Sequence, residues 1–170
     1  MQRHSRLTIV AALLAMLPGC APVNINAPSL TIPDGAVDIA WSDQGAAHVA
    51  HQYSSGFTEP ARLLIDNQSA WNAAWAQLNA GASQRPLPAI DFSRYSVFIA
   101  AFGTRNTGGY DINVSRLANA SHYLYVEITS TSPGATCGTT QALTQPVDII
   151  RVAKPHAPLA YVERTLVHEC

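Results

Sequence analysis

Eight residues in the middle of the chain, Tyr95-Ser-Val-Phe-Ile-Ala-Ala-Phe102, constrain the fold most tightly. Only Ser96 interrupts the apolar run, and Gly103 closes it. A run of this length, rich in aromatic and β-branched residues, suits a central strand buried on both faces. A second segment is helical by period. Residues 68–79 carry good helix formers, with Trp71, Trp75 and Leu78 at i, i+4 and i+7 on one face. Asp66 or Asn67 is placed to cap the N-terminus, and Gly81 fits the C′ position. The paired indoles are expected to bury against a sheet, because an aromatic stripe at helical spacing is far more often core than binding site.

The remaining segments read mostly as strands. Val37 to Trp41 alternates and predicts a first short strand; Ser42-Asp-Gln-Gly45 is a turn signal, with Ala47 to Tyr53 as hairpin partner. Ala61 to Ile65 is another strand. Beyond the turn-rich stretch Gly103–Gly109, Tyr110, Ile112 and Val114 alternate with polar residues, and Leu124, Val126 and Ile128 do so on an antiparallel partner. Val147 to Val152 and Leu159 to Val167 are the last two strands, divided by Pro155 and Pro158. Strands, one helix, then a run of strands argue an α+β fold, a mostly antiparallel β-sheet packed against one main α-helix.

The N-terminus carries an address. Arg3 and Arg6 form a positive region, and Leu7 to Leu17 is apolar except for Thr8. The run is too short for a transmembrane helix and reads as a signal segment. It ends in Leu17-Pro-Gly-Cys20, which resembles a lipobox, with Pro18 an unusual member. Residues 1–19 are thus expected to be a lipoprotein signal peptide and Cys20 the lipidated residue. Residues 20–36, with Pro22, Pro28 and Pro33, are expected to be a flexible tether, and 37–170 a single domain. Several acyl chains on one cysteine anchor stably where one holds only marginally. Ala21 follows Cys20, where an Asp is the inner-membrane retention signal, so the outer membrane is expected in a Gram-negative cell.

Cysteine parity agrees. With Cys20 lipidated, Cys137 and Cys170 remain as an even pair in an oxidising compartment. A disulfide between them would close a loop of about 34 residues, for which chain entropy suggests roughly 3–4 kcal/mol. Without Arg3 and Arg6 the chain has eight basic against eleven acidic residues. That balance provides no footprint for nucleic acid. The 12% charged fraction is low, as on the neutral polar surface of many exported proteins.

The helix with its paired Trp, Pro88, Asp91-Phe92, the central strand into Gly103, Thr107-Gly-Gly-Tyr110, and Ala142-Leu-Thr-Gln-Pro146 follow one another in an order that resembles the PrcB C-terminal domain family. The resemblance spans roughly residues 60 to 153. The family takes its name from a lipoprotein-like subunit of a bacterial surface protease complex, which is associated with the protease and is not itself the peptidase. The resemblance therefore implies a protein-interaction role and supplies no catalytic residue.

The residues themselves nominate no reaction. There is no Gly-x-Ser-x-Gly elbow and no Ser-x-x-Lys. His48 and His51 are three apart, but in a strand such residues face opposite ways, and no Cys or acidic residue lies close in sequence. No metal site and no cofactor are expected. Gly103 to Tyr110 lacks the Gly-Lys-Ser/Thr ending of a phosphate loop and leads into a strand. It reads as a turn in which Gly108 and Gly109 take φ > 0. Arg105, Asn106, Thr107, Gly108, Gly109 and Tyr110 are nonetheless the candidate interaction loop, since Arg and Tyr are common interface anchors.

Three functions follow, in order of preference. The first is a membrane-anchored envelope lipoprotein that binds a protein partner, a protease complex being the partner the resemblance suggests. The second is a protease inhibitor presenting a Gly-rich loop, 103–109 or 136–140. The third is an enzyme of unknown type. The address is directly testable. Cys20→Ser should move the protein from the membrane fraction to the soluble one and abolish lipid labelling; a wild type that never takes up labelled lipid contradicts it.

Overall fold

The structure is a computed structural model that describes residues 31–80 and 85–170. The signal segment, Cys20, most of the expected tether and Gly81 lie outside the described residues. Among the described residues eight strands and one helix follow in the order β1 (Val37–Asp38), β2 (Ala46–Gln52), β3 (Pro60–Ile65), α1 (Gln68–Leu78), β4 (Tyr95–Phe102), β5 (Asp111–Ala120), β6 (Tyr123–Pro133), β7 (Val147–Ala153) and β8 (Leu159–His168). They form two four-stranded sheets, ordered β1-β5-β6-β8 and β2-β7-β4-β3. All pairings are antiparallel except β6 with β8, which run parallel. The fold is α+β, as expected, with the strands divided between two stacked sheets.

The central run explains the layering. β4 pairs with β3 on one side and β7 on the other, so its backbone is satisfied within the sheet. Phe98 and Ala100 face the β1-β5-β6-β8 sheet and pack with Ile112, Leu117, Val126 and Ile150. Val97, Ile99 and Ala101 face the opposite way, onto Trp71, Trp75 and Leu78 of α1. A run apolar on both faces thus serves two cores, one between the sheets and one under the helix. The Asn67 side chain caps α1 by accepting from the Ala70 amide, 2.9 Å away. Each indole N–H finds a backbone acceptor, Trp71 at Pro88 O (3.0 Å) and Trp75 at Arg85 O (3.1 Å).

The expected β1–β2 hairpin does not form. β1 pairs with β5, whereas β2 crosses to pair with β7 in the other sheet; only an isolated Trp41–Ala46 bridge joins the two segments. Local alternation suggested a hairpin, but Ala46 belongs to the core between the sheets and anchors β2 on the far layer. Tyr110 precedes β5, which begins at Asp111.

The expected disulfide is present between Cys137 and Cys170, with Cα atoms 5.1 Å apart. It ties the loop after β6 to the end of β8, where Gly134 N–H also donates to His168 O at 2.8 Å. The edge strands β3 and β8 are joined by a two-pronged ion pair, Arg62 to Glu163 at 2.8 and 3.0 Å. No helix among the described residues is long and apolar enough to cross a membrane. Trp71 is fully buried. Trp71→Ala should therefore destabilise the domain by about 3–5 kcal/mol in chemical denaturation; a loss below about 1 kcal/mol would contradict burial of that face.

Candidate functional site

The candidate loop leaves β4 at Gly103, whose φ of +77° suits glycine; a Cβ there would lie 2.8 Å from the Pro60 nitrogen. The loop then folds onto residues 140–144. Arg105 and Thr144 exchange both backbone hydrogen bonds (2.8 and 2.9 Å), and Gly108 N–H donates to Thr140 O at 3.0 Å. The Thr144 hydroxyl donates to Thr107 O at 2.8 Å. Gly109 has a positive φ of +87°, as expected; Gly108 does not, and is glycine because a Cβ would meet the Thr140 hydroxyl. The two loops considered for protrusion, 103–109 and 136–140, are therefore pinned against each other.

This docking changes the role of Arg105. Its guanidinium lies 4.0 Å over the Phe102 ring and 5.8 Å from the Tyr110 ring centroid, and donates to Phe102 O at 2.9 Å. Arg105 is half-buried and braces the loop from within. The loop residues most open to solvent are Asn106 and Gly109, with Tyr110 partly open. Tyr110, Gly108, Gly109, Thr140 and Thr144 line a cavity of about 350 Å³ together with Tyr53 and Asp111. Tyr53 stands 54% exposed at its rim, and Leu143, next to Thr144, is 66% exposed. The surface around the loop is thus rigid in backbone and apolar in places, the combination that an interface anchor needs.

The sequence reading missed the neighbouring surface. A bulge in β2 between His48 and Ala50 changes which residues share a face. His48 pairs opposite Ile150 and His51 opposite Asp148, and these two β7 residues are two apart, so both histidines point to the same side. The expectation that His48 and His51 face opposite ways fails for this reason. His48 Nδ1 lies 3.0 Å from Asp148 Oδ1, and His51 Nε2 lies 2.8 Å from Asp111 Oδ1. Acidic partners absent in nearby sequence thus arrive from β7 and β5.

Asp148 is fully buried, and its second oxygen accepts the Val114 amide of β5 at 2.8 Å. The His48 ring stacks on Trp41, with centroids 4.7 Å apart and planes 8° from parallel. Asp111 also acts on Tyr53: its negative charge, and to a lesser degree burial, raise the phenol above its ordinary value. A lone Asp in the apolar stretch Val147-Asp-Ile-Ile150 was the one sequence signal for this site, since a buried carboxylate must find partners.

The fold and site together define a two-sheet α+β domain that presents a pinned Gly-rich loop beside a His–Asp surface. Residues 96–153 of this domain match the model of the PrcB C-terminal family. The matched segment runs from β4 to the end of β7, so it contains the whole candidate loop with Asp111 and Asp148, and excludes α1, β2 and β8. No curated protein and no solved structure matches the chain.

Proposed function

We propose that this chain is a non-enzymatic envelope lipoprotein, anchored through lipid on Cys20, whose domain grips a protein partner at the surface formed by the 105–110 loop. The observation that carries this reading is the family match over the segment that builds the pinned loop. The family's namesake belongs with a protease complex, so a protease-associated assembly is the partner class. The surface fits that role physically. Its backbone is held by the 140–144 segment, so little conformational entropy is lost on docking. Asn106, Tyr53 and Leu143 stand exposed around it for contact. The Cys137–Cys170 bond holds the second loop in an oxidising compartment. A Gram-negative host would place the domain on the periplasmic face of the outer membrane.

A photo-crosslinking residue in place of Asn106 tests the surface in intact envelopes. A discrete adduct with one partner polypeptide is expected. The same residue at Tyr123, beyond the opposite end of β5, should give none. No adduct at Asn106 in a folded, membrane-bound protein, or identical adducts from both positions, contradicts the proposal. Inhibition of a secreted protease by the purified full chain would favour the inhibitor reading instead.

A further inference from the structure

His48 and His51 share more than a face. Both imidazoles line a single cavity of about 380 Å³ with Asn113, Val114 and Asp148. An ionised carboxylate only accepts hydrogen bonds, so Asp148 fixes the proton of His48 on Nδ1 and Asp111 fixes that of His51 on Nε2. In the neutral imidazoles that a metal ion binds, the nitrogens left over, His48 Nε2 and His51 Nδ1, carry lone pairs, and neither makes a hydrogen bond among the described residues. A histidine whose far nitrogen donates to a carboxylate is the arrangement that orients metal-ligating imidazoles and raises their basicity. Here it occurs twice, on residues that the β2 bulge brings to the spacing of alternate strand positions, roughly 7 Å. Trp41 holds one ring by stacking, and buried Asp148 holds it from behind.

We propose that His48 and His51 form a two-histidine site for a divalent transition-metal ion of the copper, nickel and zinc class. Imidazole selects these ions over magnesium and calcium. No group of three His, Cys, Asp or Glu residues among the described residues is arranged to hold a metal ion. The pair therefore supplies two ligands, and water completes the shell. Both histidines lie outside the matched PrcB segment, so the site is a property of this chain's β2.

The test is calorimetric titration of the full chain with Cu²⁺, Ni²⁺, Zn²⁺ and Mg²⁺, paired with NMR of the imidazole protons. One saturable ion per chain is expected, tightest for Cu²⁺ and absent for Mg²⁺, with line broadening by Cu²⁺ centred on His48 and His51. His51→Ala should weaken binding at least about tenfold, and Asp111→Asn by about 10–100-fold. His48→Gln keeps a donor for Asp148 while removing the free imidazole nitrogen, and should have the same effect without unfolding the domain. His122→Ala, at the exposed β5–β6 turn, should change nothing. Absence of saturable Cu²⁺ binding, or unchanged binding by a folded His48→Gln/His51→Ala double variant, overturns the proposal.

Discussion

The two sheets of this domain meet at a buried carboxylate. Asp148 sits in β7 with no exposed surface, yet both its oxygens are partnered, one by His48 of β2 and the other by the Val114 amide of β5. Among the described residues β1 pairs only with Ala118 and Asn119, and no strand there pairs with that edge of the first half of β5. The Val114 N–H on that edge is buried, and an unpaired amide there would cost about 1–3 kcal/mol. Asp148 supplies its acceptor from the other layer. Apolar contacts between Phe98, Ile112, Val126 and Ile150 provide the bulk of the attraction between the sheets. Being non-directional, they leave the register of one sheet on the other loosely specified, whereas the carboxylate demands one geometry.

That geometry organises the surface above it. Fixing Asp148 fixes His48, and the β2 bulge then brings His51 to the same side, within reach of Asp111 at the start of β5. Asp111 also lines the cavity beside Gly108, Gly109 and Tyr110, so the His–Asp surface and the candidate loop are neighbours with a shared wall. The loop has a second support. The Cys137–Cys170 bond holds the segment leading to Thr140, and Thr140 accepts the Gly108 amide. Reducing the disulfide would loosen Thr140 and, through it, the loop.

Much of the architecture was legible because its signals are local. The β4 run, the Trp71–Trp75–Leu78 stripe, a helix cap at Asp66 or Asn67 and the cysteine parity each declare themselves within a few residues or by simple counting. The failures share the opposite character. Ala47-His-Val-Ala-His51 has no apolar period to choose between partners, and its bulge is set by β7, about a hundred residues away. The parallel docking of β8 on β6 and the partition into two sheets are long-range choices of the same kind. Of the candidate loop, the Gly109 conformation was readable from residue type, whereas the inward turn of Arg105 depends on the Phe102 ring and the 140–144 segment. The His–Asp pairs required knowing which strands meet.

Amide hydrogen exchange at Val114 tests the clamp between the sheets most directly. If Asp148 holds that N–H, its exchange in the native protein is slow, near that of central-strand amides such as Ile99. In a folded Asp148→Ala variant it accelerates by about 10–100-fold relative to Ile99, the range set by a hydrogen bond to a charged acceptor. A Val114 amide that exchanges in the native protein as fast as that of exposed Asn106, or that is unchanged in the variant, would contradict the account.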